Sequence, residues 1–413
     1  MNRPLYVGID VAGNSLVVGI VDANGAKLDK AKTYRNTLPA AVQLVTDLIA
    51  EADKHSANAL FCATEATGFY DWHLLEYLAE STELAVYQPK LYRLNPRAVK
   101  AFTAIASQTD KTDRNDAFFI ANYLRFTQPE HPFNAQMDYL PLQRLTRFRK
   151  HIVEQITAEK NYFLNHLFLK FSAYHQVQPF SSVFGATSCA FLEDFFSPEE
   201  VAMTDMEQLL AFVIAHGKNR FQNPEEVVRK LVQVARESYR LRPTLAKSVN
   251  LVLATSLANI RALAKSLAEI NAAIETAFAG FTTTLTTIPG IGTIYAAGIF
   301  AEIGDIQRFA SDAQLARYAG LAWRKRQSGN FTAEDTPLIR QSNATLRYYL
   351  VEAANSVKNH NPTFRVFYEK KKNEATRRQH KRALVLTARK LVRLVYAMLS
   401  RGEIYQLQKA SGN

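Results

Sequence analysis

Four acids and one serine are spaced along this chain of 413 residues like groups that handle a phosphate. The stretch Lys111-Thr112-Asp113-Arg114-Asn115-Asp116-Ala117 reads as the start of a helix reaching about Arg125. Thr112 suits an N-cap, and Ala117, Phe118, Ile120, Ala121 and Leu124 give a buried stripe. Residues three apart share a helical face, so Asp113 and Asp116 aim at one region. Like charges that close persist when a cation lies between them or water screens both. The plain alternative is two solvated acids in a first turn, where the macrodipole favours negative charge. Asp10 and Glu65 close or nearly close two apolar runs, Leu5–Val11 and Ala59–Glu65. Oxygen-only ligands select Mg2+ or Mn2+ over zinc, and two such ions clamp both oxygens of a phosphoryl transfer. Ser328 follows Arg324, Lys325 and Arg326, cations able to neutralise a pentavalent phosphate. A serine beside glycine in a basic loop is by default a turn residue, and this one has no histidine nearby to act as base.

The elements needed to gather the acids are readable upstream. Strand patterns at Leu5–Val11, Ser15–Val21 and Ala26–Tyr34 are joined by an Asn24-Gly25 hairpin signal. A helix over Leu38–Lys54, a strand over Ala59–Glu65 and a helix over Tyr70–Ala79 follow. A strand over Leu84–Gln88, a helix near Pro96–Ile105 and the Asp113 helix complete the series. The order β-β-β-α-β-α-β-α, with acids in the first and fourth strands, is that of the ribonuclease-H/RuvC-like α/β fold. There the first and fourth strands are central neighbours, so Asp10 and Glu65 are expected together beneath the Asp113 helix. Four converging carboxylates are stable only around divalent metal. Actin-like ATPases and sugar kinases open similarly, but with glycine two residues after the aspartate and Ser/Thr two later. Here those positions hold Ala12 and Asn14, and no second glycine-rich adenosine loop is present.

Downstream the chain reads as all-α. Pro129, Pro132 and Pro141 mark a linker, and Leu142–Phe171 has helical apolar spacing with Arg144, Arg147, Arg149 and Lys150 along it. Residues 172–222 read as an aromatic-rich helical insert, and 224–279 as helix interrupted near Pro243. The two long helices suggest an antiparallel or intermolecular coiled coil acting as a dimerisation arm, with an internal bundle as the alternative. Ile288-Pro289-Gly290-Ile291-Gly292 before an Ala-rich helix is a helix-hairpin-helix signature. Gly290 and Gly292 would let backbone N–H groups reach a nucleic-acid phosphate. Helices are expected over Leu346–Val357 and Arg382–Leu399. Between them Lys370-Lys371-Lys372, Arg377, Arg378 and Lys381 make a basic tract, with Phe364, Phe367 and Tyr368 for stacking. That is the expected phosphate or RNA surface. The expected domains are 1–128 (metal-binding), 129–280 (linker, coiled coil and insert) and 281–413 (the serine-bearing domain).

Composition narrows the function classes. The length suits roughly two or three domains, and 47% hydrophobic residues suffice for packed cores. No uninterrupted apolar run reaches the roughly eighteen residues that span a membrane. The N-terminus lacks a signal peptide's apolar region, so an intracellular, cytoplasmic protein is expected. Cys62 and Cys189 are too few for a disulfide framework or thiolate zinc site. From Arg317 to Asn413 there are 20 Lys and Arg against 6 Asp and Glu, a net +14, leaving 30 against 32 in residues 1–316. Such asymmetry points to a polyanionic partner.

Taken together the chain resembles DEDD transposases of the insertion-sequence one-ten family, which includes the Piv-type DNA invertases. Gly8-Ile9-Asp10, Glu65-Ala66-Thr67-Gly68, Thr112-Asp113 with Asp116-Ala117, Ile288-Pro289-Gly290-Ile291-Gly292 and Ser328-Gly329 fall in the family's order over nearly the whole chain. The resemblance implies a RuvC-like domain whose Asp10, Glu65, Asp113 and Asp116 hold Mg2+ (or Mn2+), a coiled coil, and a transposase domain. In that last domain Ser328 would form a phosphoserine link to DNA. It also implies a bridge RNA pairing with target and donor DNA, and carboxylates from a partner subunit serving where a base is missing. A homodimer or homotetramer is expected, since four strands must be cut together. The chain departs from the family pattern at Phe331–Asp335, at Asn343 where glycine is common (an αL-tolerant replacement) and in the length of 172–222. Two other readings predict differently. A junction nuclease would hydrolyse DNA in a Mg2+-dependent way without an adduct, and a non-enzymatic binding protein would be indifferent to loss of Asp10.

Overall fold

The computed structural model describes residues 3–106, 113–130, 132–133, 138–195, 197–323, 327–328, 331–332, 338–339 and 342–406. The chain forms two compact units, Met1–Asp138 and Tyr139–Asn413.

In the first unit β1 (Pro4–Val11), β2 (Ser15–Val21), β3 (Lys32–Arg35), α1 (Leu38–Lys54), β4 (Ala59–Glu65), α2 (Trp72–Glu80), β5 (Lys90–Leu94), α3 (Pro96–Ala106) and α4 (Asp113–Thr127) follow in order. The sheet order is β3-β2-β1-β4-β5, with β1 antiparallel to β2 and parallel to β4. Side chains alternate across it. Leu5, Val7, Ile9, Leu60 and Cys62 share a core with α1 and α2, while Tyr6, Ala63, Tyr92 and Leu94 meet Phe118, Ile120, Ala121 and Leu124 of α4. This layering is consistent with a RuvC-like domain.

Two strand expectations shift. After the Asn24-Gly25 turn only Lys27 bridges back to Val21, and the third strand is confined to β3. The Asp22 carboxylate accepts the N–H groups of Asn24 and Ala26, which holds the turn. Leu84–Tyr87 is a 3₁₀ turn, and the fifth strand starts after Pro89. Gln88 adopts φ 47°, a left-handed conformation no strand can continue through.

Among the described residues the second unit is mostly helical, with one short hairpin and a Trp323–Leu338 bridge below it. It comprises α5 (Leu140–Lys170), α6 (Tyr174–Val177), α7 (Ala186–Asp194), α8 (Pro198–Met203), α9 (Met206–Gly217), α10 (Pro224–Glu237) and α11 (Pro243–Phe278). Then come α12 (Thr293–Ile303), α13 (Asp312–Tyr318), β6 (Gln327–Ser328), β7 (Phe331–Thr332), α14 (Ala344–His360), α15 (Pro362–Asn373) and α16 (Gln379–Arg401). The long helices α5 and α11 pair antiparallel within the chain. Leu142 shares a core with Ile274 and Phe278, and Arg149 Nε donates to Asn271 Oδ1 at 2.8 Å. At the other end Phe163 and Leu167 share a second core with Val249, Leu253 and Leu257. That second core takes in α7, α9 and α10, so the region after α5 packs on the apolar centre it shares with α5 and α11. By length and composition alone α11 could cross a membrane, but its buried residues face these two cores.

Candidate functional site

Asp10 and Glu65 emerge side by side. The parallel register pairs Ile9 with Thr64, so the next residues, Asp10 and Glu65, stand together at the C-terminal ends of two neighbouring central strands. Alternation puts both on the face that carries Tyr6 and Ala63, which is the face covered by α4. A Cβ added to Gly8 would collide with Ala117 O and Ala121 N, so the backbones of β1 and α4 touch there. No larger residue than glycine permits that approach.

The direction of α4 follows from its other end. Gln128 Nε2 donates to Tyr6 Oη, and Arg125 Nη1 to Ala23 O. Both partners lie at the opposite end of the sheet from Asp10, so α4 runs antiparallel to β1. From Gly8 to Asp10 a strand advances about 6–7 Å, the rise of roughly four to five helical residues. Counting back from Ala117 and Ala121 by that amount reaches the turn that holds Asp113 and Asp116. The backbone therefore brings the start of α4 to the level of the two strand-end acids. Asp116 is half-buried, whereas the side chain of Asp113, with Lys111 and Thr112, lies outside the described residues. Among the described residues no group of three or more His, Cys, Asp or Glu could hold a metal ion.

The loops behind these acids are pinned by contacts that sequence reasoning missed. Thr64 Oγ1 donates to buried Asp71 at 2.9 Å, and Arg93 grips the same carboxylate through Nε at 2.6 Å and Nη2 at 2.9 Å. Arg93 Nη2 also donates to Gly68 O at 2.7 Å. Asn36 Nδ2 donates to Ala12 O and to Tyr70 O at 3.1 and 2.9 Å, tying the loop after Asp10 to the loop after Glu65. These partners lie 24 to 34 residues apart, with no local sequence signal to reveal them.

The donor set fits a hard cation. All four acids offer carboxylate oxygens, suited to Mg2+ or Mn2+. The two cysteines supply no rival ligand or nucleophile: burial pushes the Cys62 thiol up to about 12 and raises that of Cys189.

In the second unit Ser328 lies on β6, opposite Phe331 of β7; its side chain, with Arg324, Lys325 and Arg326, is outside the described residues. The hairpin's stems are held by Ile339 N donating to Ala322 O, and Asn343 N to Tyr318 O. Asn343 is not left-handed as anticipated: at φ −72° it N-caps α14, its side-chain oxygen accepting from Thr345 N and Leu346 N. The two glycines of the Ile-Pro-Gly-Ile-Gly run differ. Gly290, at φ 98°, lies so close to α14 that a Cβ would come within 2.8 Å of Val357 Cα. Gly292 caps α12 with open space before it.

The basic tract covers the end of α15 and the start of α16. Arg377, Arg378, Lys381 and Arg382 are exposed, while Lys371 pairs with Glu374 at 2.6 Å. Cations at the end of α15 suit its dipole; those at the start of α16, which has no acid in its first turn, concentrate positive charge on an already positive terminus. An anion there relieves the repulsion. Phe364 and Tyr368, expected to stack, are instead buried at 4% and 5% exposure, the inward stripe of α15. Phe367 stays half-exposed beneath the Lys390 ammonium.

Two segments of the chain match models of known families. A family model for DEDD transposases of the IS110 type, described as transposase, matches residues 7–171, and one described as transposase of the IS116/IS110/IS902 family matches residues 282–369. A protein of insertion element IS116 from Streptomyces clavuligerus is 24% identical, across 96% of this chain and 94% of its own. A pilin gene-inverting protein of Moraxella lacunata is 22% identical across 95% of each chain. A transposase for insertion sequence element IS1111A of Coxiella burnetii is 32% identical across 29% of this chain and 33% of its own.

Proposed function

Because the chain belongs to the IS110 family of insertion-element transposases, we propose that it cuts and rejoins DNA through a covalent bond to Ser328. Asp10, Glu65, Asp113 and Asp116 would hold divalent metal. The observation that carries the reading is the register of β1 with β4, which sets Asp10 beside Glu65 at the level where α4 begins. What Mg2+ contributes when bound is neutralisation of charge on the reacting phosphate.

Ser328 Oγ attacks a phosphorus of the DNA backbone. A P–Oγ ester forms, the P–O bond to one deoxyribose breaks, and that sugar oxygen leaves as a hydroxyl. The serine proton passes to a carboxylate base, from a partner subunit's site, and from that carboxyl to the departing sugar oxygen. Attack by a hydroxyl of another strand reverses these changes and frees the serine, so no water is consumed. The domain roles follow: 1–128 holds metal, α5 and α11 form a coiled-coil dimerisation arm, and 281–413 carries the serine.

Arg324, Lys325, Arg326, Lys371, Arg377, Arg378 and Lys381, with the open α12 terminus at Gly292, contact phosphates of DNA and of a bridge RNA. Gly290, packed on α14, positions that terminus rather than touching the ligand.

End-labelled DNA incubated with protein and Mg2+ and run on a denaturing gel tests the proposal. A protein-linked band is expected, absent in Ser328→Ala. Free cleaved ends without that band would establish hydrolysis instead. Sequencing of RNA co-purified with the protein tests the guide: one predominant structured species is expected.

A further inference from the structure

We infer that Tyr70 is a stacking platform for an unpaired nucleobase beside the Asp10–Glu65 edge; the inference rests on the proposed action on DNA. Its ring is large and open to solvent, at 63% exposure. Water around such a face is costly, and a flexible turn would fold it down onto apolar neighbours. This turn is not free to do so. Asn36 Nδ2 holds Tyr70 O, Arg93 Nη2 holds Gly68 O, and Trp72 N donates to Phe69 O at 3.1 Å. Asp71, between Tyr70 and Trp72, is anchored beneath the surface by Thr64 and Arg93.

The Tyr70 ring is also located with respect to the acids. A Cβ added to Gly13 would lie 3.5 Å from Cε1, and one added to Gly68 would lie 3.9 Å from Cδ2, on the opposite edge. Gly13 follows Asp10 by three residues, and Gly68 follows Glu65 by three. The ring thus spans the gap between the loops that leave the two acids, against side-chain-free backbone on both edges, with the Tyr70 carbonyl held by Asn36.

A rigid aromatic face near a phosphate-handling edge matches a base rather than a peptide. Bases offer flat uncharged π surfaces, and stacking on them tolerates any sequence. A paired base in a duplex is already stacked on both sides, so the occupant is a nucleotide without its partner.

The full-length protein in metal-free buffer, where no strand is cut, is titrated with a single-stranded DNA oligonucleotide carrying aminopurine, and with the same strand annealed to its complement. Quenching of the aminopurine is expected with the single strand. Tyr70→Ala is expected to weaken single-strand binding about tenfold, the effect of losing one stacked base, with duplex affinity unchanged. Tyr70→Trp is expected to keep both. Undiminished single-strand affinity in Tyr70→Ala, or a wild type that binds duplex without quenching on the single strand, overturns the platform and leaves the proposed function standing. A wild type that binds neither form overturns both.

Discussion

Arg147 closes on Glu302 with both arms of its guanidinium: Nε reaches Oε1 at 2.7 Å and Nη2 reaches Oε2 at 2.9 Å. The Glu302 side chain is wholly shielded from solvent, whereas the Arg147 side chain is 41% exposed. Asn343 Nδ2 adds a third bond to Oε2 at 2.7 Å. One buried charge thereby ties α5 and α12 to the stem that returns from the Ser328 hairpin. Removing Arg147 leaves the acid stranded, so Arg147→Met is expected to lose about 3–5 kcal/mol of stability. Glu302→Gln keeps hydrogen bonding and should lose less, about 1–3 kcal/mol. Urea unfolding of the two variants checks the order.

Gly8 sets the approach of α4 to β1. Gly8→Val must push the α4 backbone outward, since the collision is with main-chain atoms. A loss of about 1–3 kcal/mol is expected, with adduct formation abolished because the Asp113–Asp116 turn moves with the helix. Gly19→Ala is the control: the nearest atoms its Cβ would meet belong to the Phe118 ring, a side chain rather than the α4 main chain. Thermal melts and adduct yields for the pair test the difference.

Metal and anion sites should separate experimentally. A chelator, Asp10→Asn or Glu65→Gln is expected to abolish the adduct while DNA binding persists. Arg378→Ser, Lys381→Ser and Arg382→Ser together should weaken DNA binding and lower the slope of log K against log salt by about 2–3. Fluorescence anisotropy across a salt series reads both.

Lys170 gives the second unit a measurable pH dependence. It is 3% exposed and donates to Leu192 O at 2.8 Å. Burial pulls its ammonium down to about 8 against the milder opposing pull of Glu200. Between that value and the ordinary lysine value of about 10.5 the unfolded chain holds more protons than the folded one. The contribution of Lys170 to stability therefore rises with pH through the window, by about 3 kcal/mol, while the raised Cys189 thiol of the same unit works against it from its ordinary value upward. Lys170→Met should flatten that rise; unfolding midpoints at several pH values, compared with wild type, decide it.

The parts of the site readable in sequence are those with a local signature. Asp10 and Glu65 stand out because an acid in or ending an apolar run is unusual in a buried strand. The bounds of α1 follow from amphipathic spacing with Pro39 in its first turn. Leu84–Tyr87 misled because an apolar run of four does not distinguish a strand from a 3₁₀ turn; Pro89 was the available clue. Phe364 and Tyr368, four residues apart, carry the spacing of a buried stripe, which outweighs their basic surroundings. Asn36, Arg93, Tyr70 and Glu302 were silent because their partners are distant in the chain. The Gly8 contact with α4 is a tertiary distance that no strand pattern encodes.

The antiparallel pairing of α5 with α11 constrains how the chain can change length. Deleting a single residue from one helix turns everything beyond it by about 100° relative to its mate, shearing the stripe that joins the two cores. Viable variation in this arm must come as compensated changes on both strands of the hairpin. The segment from α6 to α10, packed on the second core at the hairpin's tip, lies outside the paired stretch and is where drift in size should accumulate.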